Sequence, residues 1–349
     1  PDMELTAAFL PVYKNPYQHL LTDALAEYGV KVEHLDAMPA VKWLRRERHR
    51  VQVLHLHWLY GLYMSRLTTP LRYAAFLGRL NLAKRLGYRI VWTAHNILPH
   101  RQPFPPMHRL ARRFIMDRAD AVICHCEYGR RELLRLFPSR TPVHVVPHGN
   151  YAGVHAMALT RQAARQSLGI DPGAFVYLVL GNISPYKGVD DFVNAFQDVA
   201  TGGDVALVAG RDRAPELVTR LELQSAEDPR IQVHAGFVTE DDMQRFLRSA
   251  DVMVASFKEV LTSGSVILGM TYGLPIVAPA RGCLPELVTD ESGILYDPED
   301  PGALACALRD IKCRDTAHMG TAAAKVAAAL SWDEIARQTA EIYRCLLYT

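Results

Sequence analysis

Short apolar runs alternate along the whole chain with stretches in which apolar residues recur at helical spacing. The apolar runs predict strands over residues 5–10, 51–57, 89–94, 121–125 and 143–147 in the first half, and over 175–180, 205–209, 231–234, 252–255 and 275–277 in the second. The helical stretches predict helices over residues 17–28, 70–86, 107–117, 128–136, 189–199, 215–224, 240–248, 263–272, 301–311, 317–330 and 332–346. Such alternation is typical of parallel sheets covered by helices on both faces.

The alternation of strand and helix occurs twice, which predicts two domains. A length of 349 residues suits that number. We therefore expect two Rossmann-like α/β units, joined near residues 151–160, with a cleft between them. In such sheets ligands bind beyond the carboxyl ends of the strands, so the loops that follow the strands are the place to look for a site.

Composition narrows the class of protein further. Hydrophobic residues make up 49% and charged residues 22% of the chain, which excludes disordered, collagen-like and disulfide-scaffold classes. The longest charge-free stretch, residues 260–280, contains Ser, Gly and Pro and is typical of a buried helix–strand unit rather than a membrane span. The sequence begins Pro-Asp-Met-Glu, which is acidic where a signal peptide is basic, so we expect a cytoplasmic protein.

The net charge of +2 hides a split between the two halves. Residues 1–150 hold 22 Lys and Arg against 11 Asp and Glu, whereas residues 151–349 hold 17 against 26. Basic residues cluster at 42–50 and 108–113, interleaved with Trp43, Leu110 and Phe114. Clusters of this kind suit an anionic membrane surface or another anionic partner. Taken alone, each cluster is equally well interpreted as the solvated face of a helix.

Two helix starts in the second half carry the strongest local signals. The segment Gly-Asn-Ile-Ser-Pro-Tyr-Lys-Gly at 181–188 follows an apolar strand and places Lys187 near a helix N-terminus, where phosphate is already favoured. The segment 262–265 presents three hydroxyl groups and a glycine at the start of the helix predicted over residues 263–272. The plainer interpretations are a turn with a surface lysine and a hydroxyl N-cap. Together, the two segments predict a diphosphate site.

Signatures of several other site classes are missing. No glycine-rich dinucleotide motif, P-loop, zinc-protease motif or serine-hydrolase elbow is present. The six cysteines lack metal-ligand spacing, and no Asp-x-Asp motif occurs. We therefore expect neither a metal nor a cofactor. Zinc binding by the histidines of the first half is an alternative, but these histidines do not have the spacing of zinc ligands.

Three histidines in the first half are candidate site residues. His95 follows the predicted strand 89–94, at the edge where ligands bind, and a histidine there can donate a hydrogen bond or accept a proton. His57 ends the neighbouring strand, and His100 lies in a proline-rich loop that suits the mouth of a binding site. For each of the three, a hydrogen-bonded structural histidine is the alternative.

Five motifs follow one another in the second half: Gly-x5-Lys-Gly at 181–188, Ala-Gly-Phe-Val at 235–238, Glu…Ser-Gly at 259–264, Tyr-Gly-Leu-Pro-Ile-Val-Ala-Pro at 272–279 and Gly-Cys-Leu-Pro-Glu-Leu-Val at 282–288. Their order resembles the GT-B glycosyltransferases of family 4 and their relatives. In the first half, His-Leu-His-Trp at 55–58 and Ala-His-Asn-x-x-Pro-His at 94–100 are similar to the xanthan-pathway mannosyltransferase type. The terminal Ser-Trp-Asp at 331–333, with Tyr343, resembles the closing helix of the family.

The resemblance implies a GT-B fold and a role for each matching residue. It implies an acceptor-binding Rossmann-like domain over residues 1–155, a nucleotide-sugar-binding one over 156–330, and a helix over 331–349 that returns to the first domain. Catalytic roles are implied for His95 and Glu259. Contacts with the donor are implied for Asn15, Gly181, Asn182, Lys187, Phe237, Val238, Glu259, Thr262, Ser263, Gly264 and Ser265. Contacts with the acceptor are expected for Tyr17, His57, Asn96 and His100.

Two positions depart from the family pattern. The family usually has an arginine five residues before the lysine, where this chain has Asn182, so one cation is lost and hydrogen bonds or Ser184 must substitute. The second glutamate of the family's Glu-x7-Glu pair is also missing, because Ile267 stands eight residues after Glu259. The carboxylate that binds ribose is therefore absent or supplied elsewhere, for example by Glu286.

The resemblance implies a metal-independent hexosyltransferase of polysaccharide or glycoconjugate synthesis. Such an enzyme transfers a hexose from GDP-mannose or a UDP-sugar to a lipid-linked or other saccharide acceptor. We expect it at the inner face of the cell membrane, with no nucleic-acid partner. In an inverting reaction His95 is the best candidate for the base, whereas in a retaining one the leaving phosphate can take the proton. The alternatives are a nucleotide-sugar epimerase and a non-catalytic GT-B subunit that binds a sugar nucleotide or a partner enzyme.

Overall fold

The structure, a computed structural model, describes residues 5–13, 15–65, 68–99, 104–155 and 158–348. The chain divides into two compact units. Unit 1 consists of Pro1–Gly149 together with Leu330–Thr349, and unit 2 of Asn150–Ala329. Each unit contains a parallel sheet with six strands in the described ranges, as the alternation of strand and helix predicts.

The sheet of unit 1 has the strand order β2-β1-β3-β4-β5-β6. Its strands are β1 (Leu5–Leu10), β2 (Val30–His34), β3 (Val53–Leu56), β4 (Arg89–Thr93), β5 (Ala121–Cys124) and β6 (Val143–Val145). The helices between them are α1 (Pro16–Ala26), α2 (Val41–Glu47), α3 (Leu59–Tyr63), α4 (Thr69–Arg85), α5 (Pro105–Met116) and α6 (Glu127–Leu136).

The sheet of unit 2 has the strand order β12-β11-β10-β7-β8-β9. Its strands are β7 (Phe175–Leu180), β8 (Asp204–Gly210), β9 (Ile231–Ala235), β10 (Val252–Val254), β11 (Ile276–Pro279) and β12 (Gly293–Tyr296). Its helices are α7 (Arg161–Ser167), α8 (Val189–Val199), α9 (Pro215–Glu227), α10 (Glu240–Ser249), α11 (Gly264–Thr271), α12 (Leu284–Leu287), α13 (Ala303–Lys312) and α14 (Thr316–Ala329). The last helix, α15 (Trp332–Tyr348), belongs to unit 1.

The returning helix predicted over residues 331–349 is confirmed by the packing of α15 against α1. Tyr343 on α15 is fully buried in the same apolar cluster as Phe9 of β1 and Leu21 of α1. At the outer end of the contact, the Tyr28 hydroxyl donates to Asp333 Oδ1 at 2.7 Å. The C-terminal helix therefore completes the core of unit 1, because it covers apolar surface that the first strand and helix leave open.

The central strands formed where apolar runs predicted them, whereas the edge strands β2 and β12 escaped prediction. In β2 only Val30 is buried, and in β12 only Gly293. The other two edge strands, β6 and β9, were predicted, although few of their residues are buried either. The short helices α2, α3 and α7 were not predicted either, because five to seven residues are too few to establish helical periodicity.

The basic cluster at 108–113 is exposed only in part. On α5, Arg109 and Leu110 are exposed, but His108 and Arg112 are buried. Arg112 instead donates through Nε to the carbonyl oxygen of Ile97 at 2.9 Å and so ties the loop after β4 to the helix. Among the described residues, no helix combines the length and the apolar character that crossing a membrane requires.

Candidate functional site

The two helix starts that the sequence singled out lie against each other in unit 2. After β7 the chain passes through a short 3-10 turn, Pro185–Lys187, and leaves it at Gly188 with a φ of 61°. Ser256, after β10, donates through Oγ to the carbonyl oxygen of Lys187 at 3.0 Å. A Cβ atom at Gly188 would collide with the carbonyl oxygen of Ser256. Glycine is therefore required by both the left-handed backbone and the close approach of the two loops.

The ammonium group of Lys187 is the centre of this arrangement. Its Nζ donates to Ser265 Oγ at 3.1 Å and lies 4.4 Å from the centroid of the Phe257 ring. A Cβ atom at Gly181 would stand 3.6 Å from the same Nζ, so the missing side chain keeps the ammonium group open on that side. Burial lowers the pKa of Lys187 to about 8. A cation held in this way beside a helix start favours the binding of an anion.

Hydroxyl groups complete the start of α11. Ser263 is the N-cap: its Oγ accepts from the Val266 N–H at 3.3 Å and lies 3.1 Å from Ser265 Oγ. Thr262 and Gly264, next to it, are half-buried. The free N–H groups of the first helical turn point in the same direction as the dipole of the helix, which favours a negative charge there. Two oxygens of a phosphate would find both an ammonium group and hydroxyl donors at this place.

The other residues predicted to contact the sugar donor follow different strands of the same sheet. Asn182 and Glu259 are exposed, and the Glu259 N–H lies 3.5 Å from the carbonyl oxygen of Tyr186 in the lysine turn. Phe237 follows β9, with 76% of its surface exposed, and Val238 packs on the core beside it. Because β8 separates β9 from β7, the aromatic ring and the ammonium group belong to different parts of one edge.

Unit 1 gathers five buried histidines towards the carboxyl ends of strands β3 to β6: His55, His57, His95, His125 and His148. Three of them form a chain of hydrogen bonds. His57 Nδ1 lies 3.1 Å from His95 Nε2, His95 Nδ1 lies 3.1 Å from His125 Nε2, and His125 Nδ1 lies 3.0 Å from the carbonyl oxygen of Val146. His57 and His95 were predicted from the sequence as site residues, whereas His125 was not.

The carbonyl group of Val146 determines where the protons of this chain lie. A carbonyl oxygen only accepts, so His125 Nδ1 carries the proton and, in the neutral ring, His125 Nε2 accepts. By the same reasoning His95 donates from Nδ1 and accepts at Nε2, and His57 donates from Nδ1. Both nitrogens of His95 are therefore engaged with protein groups. Within the described residues, the lone pair at His57 Nε2 has no hydrogen-bond partner.

The rings around the histidines keep them neutral. Trp58 stacks on His95 with centroids 4.2 Å apart, and Tyr17 meets His95 edge-on at 4.7 Å. Burial, and then the neighbouring histidines, hold the pKa values of His57 and His95 well below the ordinary value. Burial also lowers the pKa of His125 to about 3. Neutral imidazoles are what an apolar enclosure favours.

The remaining histidines of the cluster attach it to the rest of unit 1. His55 shares hydrogen bonds with the hydroxyls of Tyr343 at 2.5 Å and Thr93 at 2.7 Å, and burial lowers its pKa to about 3. His148 donates from Nδ1 to the carbonyl oxygen of Gly149 at 2.8 Å, and its pKa is lowered by burial to about 4. The cluster therefore depends on α15 as well as on the strands.

The other predicted residues of the first half have local roles as well. Asn15 is the N-cap of α1, and its Oδ1 accepts from the Tyr17 N–H at 2.9 Å. Tyr17 is 2% exposed and lies among the histidine rings. Asn96 is half-buried beside His95, and His100 lies outside the described residues.

A signal for the missed histidines was present in the sequence. His125 ends the predicted strand 121–125, and His148 follows the predicted strand 143–147, so both occupy the same relative position as His57 and His95. Polar residues that follow adjacent parallel strands meet at one edge of the sheet. In the part of the chain that the structure describes, no group of three or more His, Cys, Asp or Glu side chains is arranged to hold a metal ion.

Two sequence families match the chain, one for each unit. "Glycosyltransferase Family 4" matches residues 31–150, and "Glycosyl transferases group 1" matches residues 174–312. The chain is 30% identical over 278 residues to a D-inositol 3-phosphate glycosyltransferase of Mycolicibacterium vanbaalenii, an alignment that covers 72% of this chain and 60% of that protein. The chain thus spans less than two thirds of the length of this relative.

A second relative is covered more fully. The chain is 26% identical over 311 residues to the GDP-mannose:glycolipid 4-beta-D-mannosyltransferase of Xanthomonas campestris, an alignment that covers 85% of this chain and 79% of that protein.

Solved structures support the fold. A sucrose-phosphate synthase from Thermosynechococcus elongatus superposes with a TM-score of 0.77 at 19% identity, over 99% of each chain. The Anabaena protein HepE, solved with UDP and glucose, superposes with a TM-score of 0.73 at 17% identity, over 97% of this chain and 98% of HepE. The predicted GT-B fold is confirmed by these likenesses and by the two parallel sheets. The chain belongs to the GT-B glycosyltransferases that carry family 4 and group 1 domains.

Proposed function

We propose that this protein transfers a hexose from a nucleotide-diphosphate sugar, either GDP-mannose or a UDP-sugar, to a lipid-linked or other saccharide acceptor. The observation that carries the proposal is the ammonium group of Lys187, held 3.1 Å from Ser265 Oγ at the start of α11. A relative named for GDP-mannose and a glycolipid, and a structural neighbour solved with UDP and glucose, support the choice of donor and acceptor classes.

The donor site proposed in unit 2 acts on the leaving group. As the bond between the hexose and the diphosphate breaks, negative charge grows on the diphosphate. Lys187, the hydroxyls of Ser263 and Ser265 and the N–H groups of α11 stabilise that charge more strongly than they stabilise the intact donor. The exposed ring of Phe237 offers a flat surface to the base. Glu259, next to the lysine turn, is proposed to contact the hexose. These groups require no metal ion.

The histidine cluster of unit 1 is proposed to serve the acceptor. Two routes are open to the proton that the acceptor hydroxyl loses. The leaving phosphate takes it in a retaining reaction; in an inverting reaction His95 takes it after exchanging one of its two histidine partners for the substrate. The anomeric configuration of the product, read by NMR, distinguishes the two routes.

A cavity in unit 1 supports an acceptor that carries a lipid. The cavity, of about 310 Å³, lies beside α4 and is lined in part by Leu62, Leu71 and Phe76. Two guanidinium groups, those of Arg72 and Arg79, stand at its wall. Apolar walls with two cations suit a hydrocarbon chain attached to an anionic group.

The exposed basic residues of unit 1 support a peripheral position on an anionic membrane. Arg45 and Arg46 on α2 are exposed, as are Arg109 and Leu110 on α5. Attraction of this kind weakens as salt screens the charges. Co-sedimentation with vesicles should therefore rise with the fraction of anionic lipid and fall with salt concentration. Binding that is indifferent to anionic lipid would count against this part of the proposal.

The donor proposal is tested by calorimetry with GDP, UDP and ADP side by side, followed by transfer assays with the matching sugars. We expect one of the nucleotides to bind. Lys187→Ala should lose binding and transfer, and His95→Ala should lose transfer while it still binds the nucleotide. Lys325→Ala, which removes an exposed lysine of α14, is the matched control. A wild-type protein that binds none of the nucleotides would contradict the proposal.

One observation favours a second candidate, a GT-B subunit that binds a sugar nucleotide without turning it over. Asn182 and Ile267 stand where the family usually has an arginine and a glutamate, and Ile267 is buried. Such a subunit would bind the nucleotide in the calorimeter and form no product with any acceptor. An epimerase would instead convert the nucleotide sugar in the absence of an acceptor.

A further inference from the structure

We propose that Arg211 supplies the second cation of the donor-diphosphate site, in place of the arginine that the turn after β7 lacks at Asn182. This inference rests on the proposed function, because it assumes that unit 2 binds a nucleoside diphosphate. It adds a binding residue from a different strand, which none of the sequence motifs contains.

The register between β7 and β8 places Arg211 beside Asn182. The two strands are parallel, and Leu180 pairs with Ala209 at their carboxyl ends. The pairing continues past the strands: the Ile183 N–H donates to the carbonyl oxygen of Arg211 at 2.9 Å, and the Arg213 N–H donates to that of Ile183 at 3.0 Å. Asn182 therefore lies beside Arg211, at the spacing of about 4.8 Å that separates neighbouring strands.

The ends of the two strands approach each other closely at Gly181 and Gly210. A Cβ atom at Gly210 would collide with the carbonyl oxygen of Gly181, and a Cβ atom at Gly181 would stand 3.6 Å from Lys187 Nζ. Arg211 follows Gly210 directly, so its backbone lies next to the glycine that borders the ammonium group.

The charge of Arg211 is not paired with a carboxylate within the described residues. Arg211 is exposed, and in the described ranges its guanidinium group forms no ion pair or hydrogen bond. Two other arginines of unit 2 behave differently: Arg230 pairs with Asp228 at 2.7 Å, and Arg281 pairs with Glu299 at 2.6 Å. The positive charge of Arg211 is thus available to a ligand.

Strand β8 lies between the two parts of the proposed donor site. β7 leads to the lysine turn, and β9 leads to the exposed ring of Phe237. A nucleotide with its base on Phe237 and its outer phosphate on Lys187 must cross the end of β8. Arg211 is therefore placed at the phosphate nearer to the base, and its planar fork can hold two phosphate oxygens at once.

The decisive experiment compares Arg211→Gln with the wild-type protein in calorimetric titrations of GDP and UDP. Loss of one charge-assisted hydrogen-bonding group should weaken binding of the preferred nucleotide about tenfold to a hundredfold. Arg211→Lys, which keeps the charge and loses the fork, should fall in between. The matched control, Arg220→Gln, removes an exposed arginine of α9 and should bind like the wild type.

A rescue separates a local contact from a general effect of charge. Asn182→Arg restores the family's cation on the neighbouring strand, so the double variant with Arg211→Gln should regain most of the lost affinity. Wild-type affinity in Arg211→Gln, or equal losses in Arg211→Gln and Arg220→Gln, would overturn the inference and leave the proposed function intact. If the wild-type protein binds neither GDP, UDP nor ADP, it is the proposed function that fails. Arg211 is exposed, and thermal unfolding of each variant verifies that the fold is retained.

Discussion

His95 Nδ1 lies 3.1 Å from His125 Nε2, and the proton between them belongs to His95 because His125 spends its own on the carbonyl oxygen of Val146. A backbone group after β6 thus determines, through His125 after β5, which nitrogen of His95 after β4 donates. The lone pair that His95 retains at Nε2 faces His57. An imidazole held in this way has one tautomer and one orientation, which is what a positioned acid or base requires.

We predict that His125→Leu destabilises unit 1 by about 1–3 kcal/mol, because the buried Nδ1–H of His95 then lacks an acceptor. His125→Gln should be milder, since an amide can accept from His95 and donate to Val146. The measurement is urea unfolding followed by tryptophan fluorescence. All four tryptophans, Trp43, Trp58, Trp92 and Trp332, belong to unit 1, so the signal reports that unit. Equal losses in the two variants would contradict the hydrogen-bonding chain.

We predict that unit 1 loses stability steeply as the pH falls below about 6.5. The folded pKa values of His55 and His125 are about 3 and that of His148 about 4, all below the ordinary value, so the unfolded chain binds more protons in this range. The stability that these histidines confer is therefore present above about pH 6.5 and is lost as the pH falls towards 3–4. Lowering the pH from 7.5 to 5 should reduce the free energy of unfolding of unit 1 by about 6 kcal/mol through these three histidines together.

The acid prediction is checked by urea unfolding at a series of pH values, again by tryptophan fluorescence. His125→Gln removes one titrating group and should reduce the proton uptake on unfolding by about one. Leu110→Gln, at an exposed position of α5 that carries no titratable group, is the control and should leave the uptake unchanged. A stability that stays constant from pH 7.5 to pH 5 would show that the histidines are not held neutral.

We predict that nucleotide binding weakens as the pH rises above 8. The pKa of Lys187 is about 8 in the free protein, and a bound diphosphate raises it by favouring the charged form. Affinity is then lost between pH 8 and the pKa of the complex, at most about tenfold per pH unit. Calorimetry with GDP and UDP from pH 7.5 to 9.5 measures the loss. Lys187→Arg stays charged throughout and should flatten the profile; a profile shared by both proteins would assign the titration to another group.

We predict that Gly188→Ala destabilises unit 2 by about 1–3 kcal/mol and weakens nucleotide binding. A left-handed φ is costly for alanine, and its Cβ atom would collide with the carbonyl oxygen of Ser256. The collision separates the lysine turn from the loop that leads to α11. The measurements are Tm by circular dichroism and the affinity for GDP and UDP. Gly202→Ala, whose Cβ atom would meet nothing within 4 Å, is the matched control and should change neither.

The elements that the sequence predicted best are strands buried along nearly their whole length and a helix with one continuous buried face. The structure has β1 at Leu5–Leu10, β7 at Phe175–Leu180 and α8 at Val189–Val199, each with the predicted bounds. A strand that is covered on both faces needs a continuous apolar run, so the run marks its ends. The edge strands β2 and β12, which have one buried residue each, escaped prediction.

The parts of the candidate site whose residues lie within one short segment of the chain were predictable. Lys187 and Ser265 each stand at a helix start that follows an apolar strand, and this local order is enough to predict an anion site. The histidine chain was predictable only in part. His57 and His95 follow strands, but that both nitrogens of His95 are engaged depends on the distance to His125, which no local pattern encodes.

The sequence by itself determined the succession of strands and helices, the two anion-favouring helix starts and the uneven distribution of charge, because these depend on residues close together in the chain. The tertiary structure decided which distant residues meet. His55 and Tyr343, 288 residues apart, share a buried hydrogen bond because α15 completes the core of unit 1. Arg211 stands beside Asn182 because two parallel strands pair in one register out of several. Burial of apolar side chains selects that register, and the polar partners follow from it.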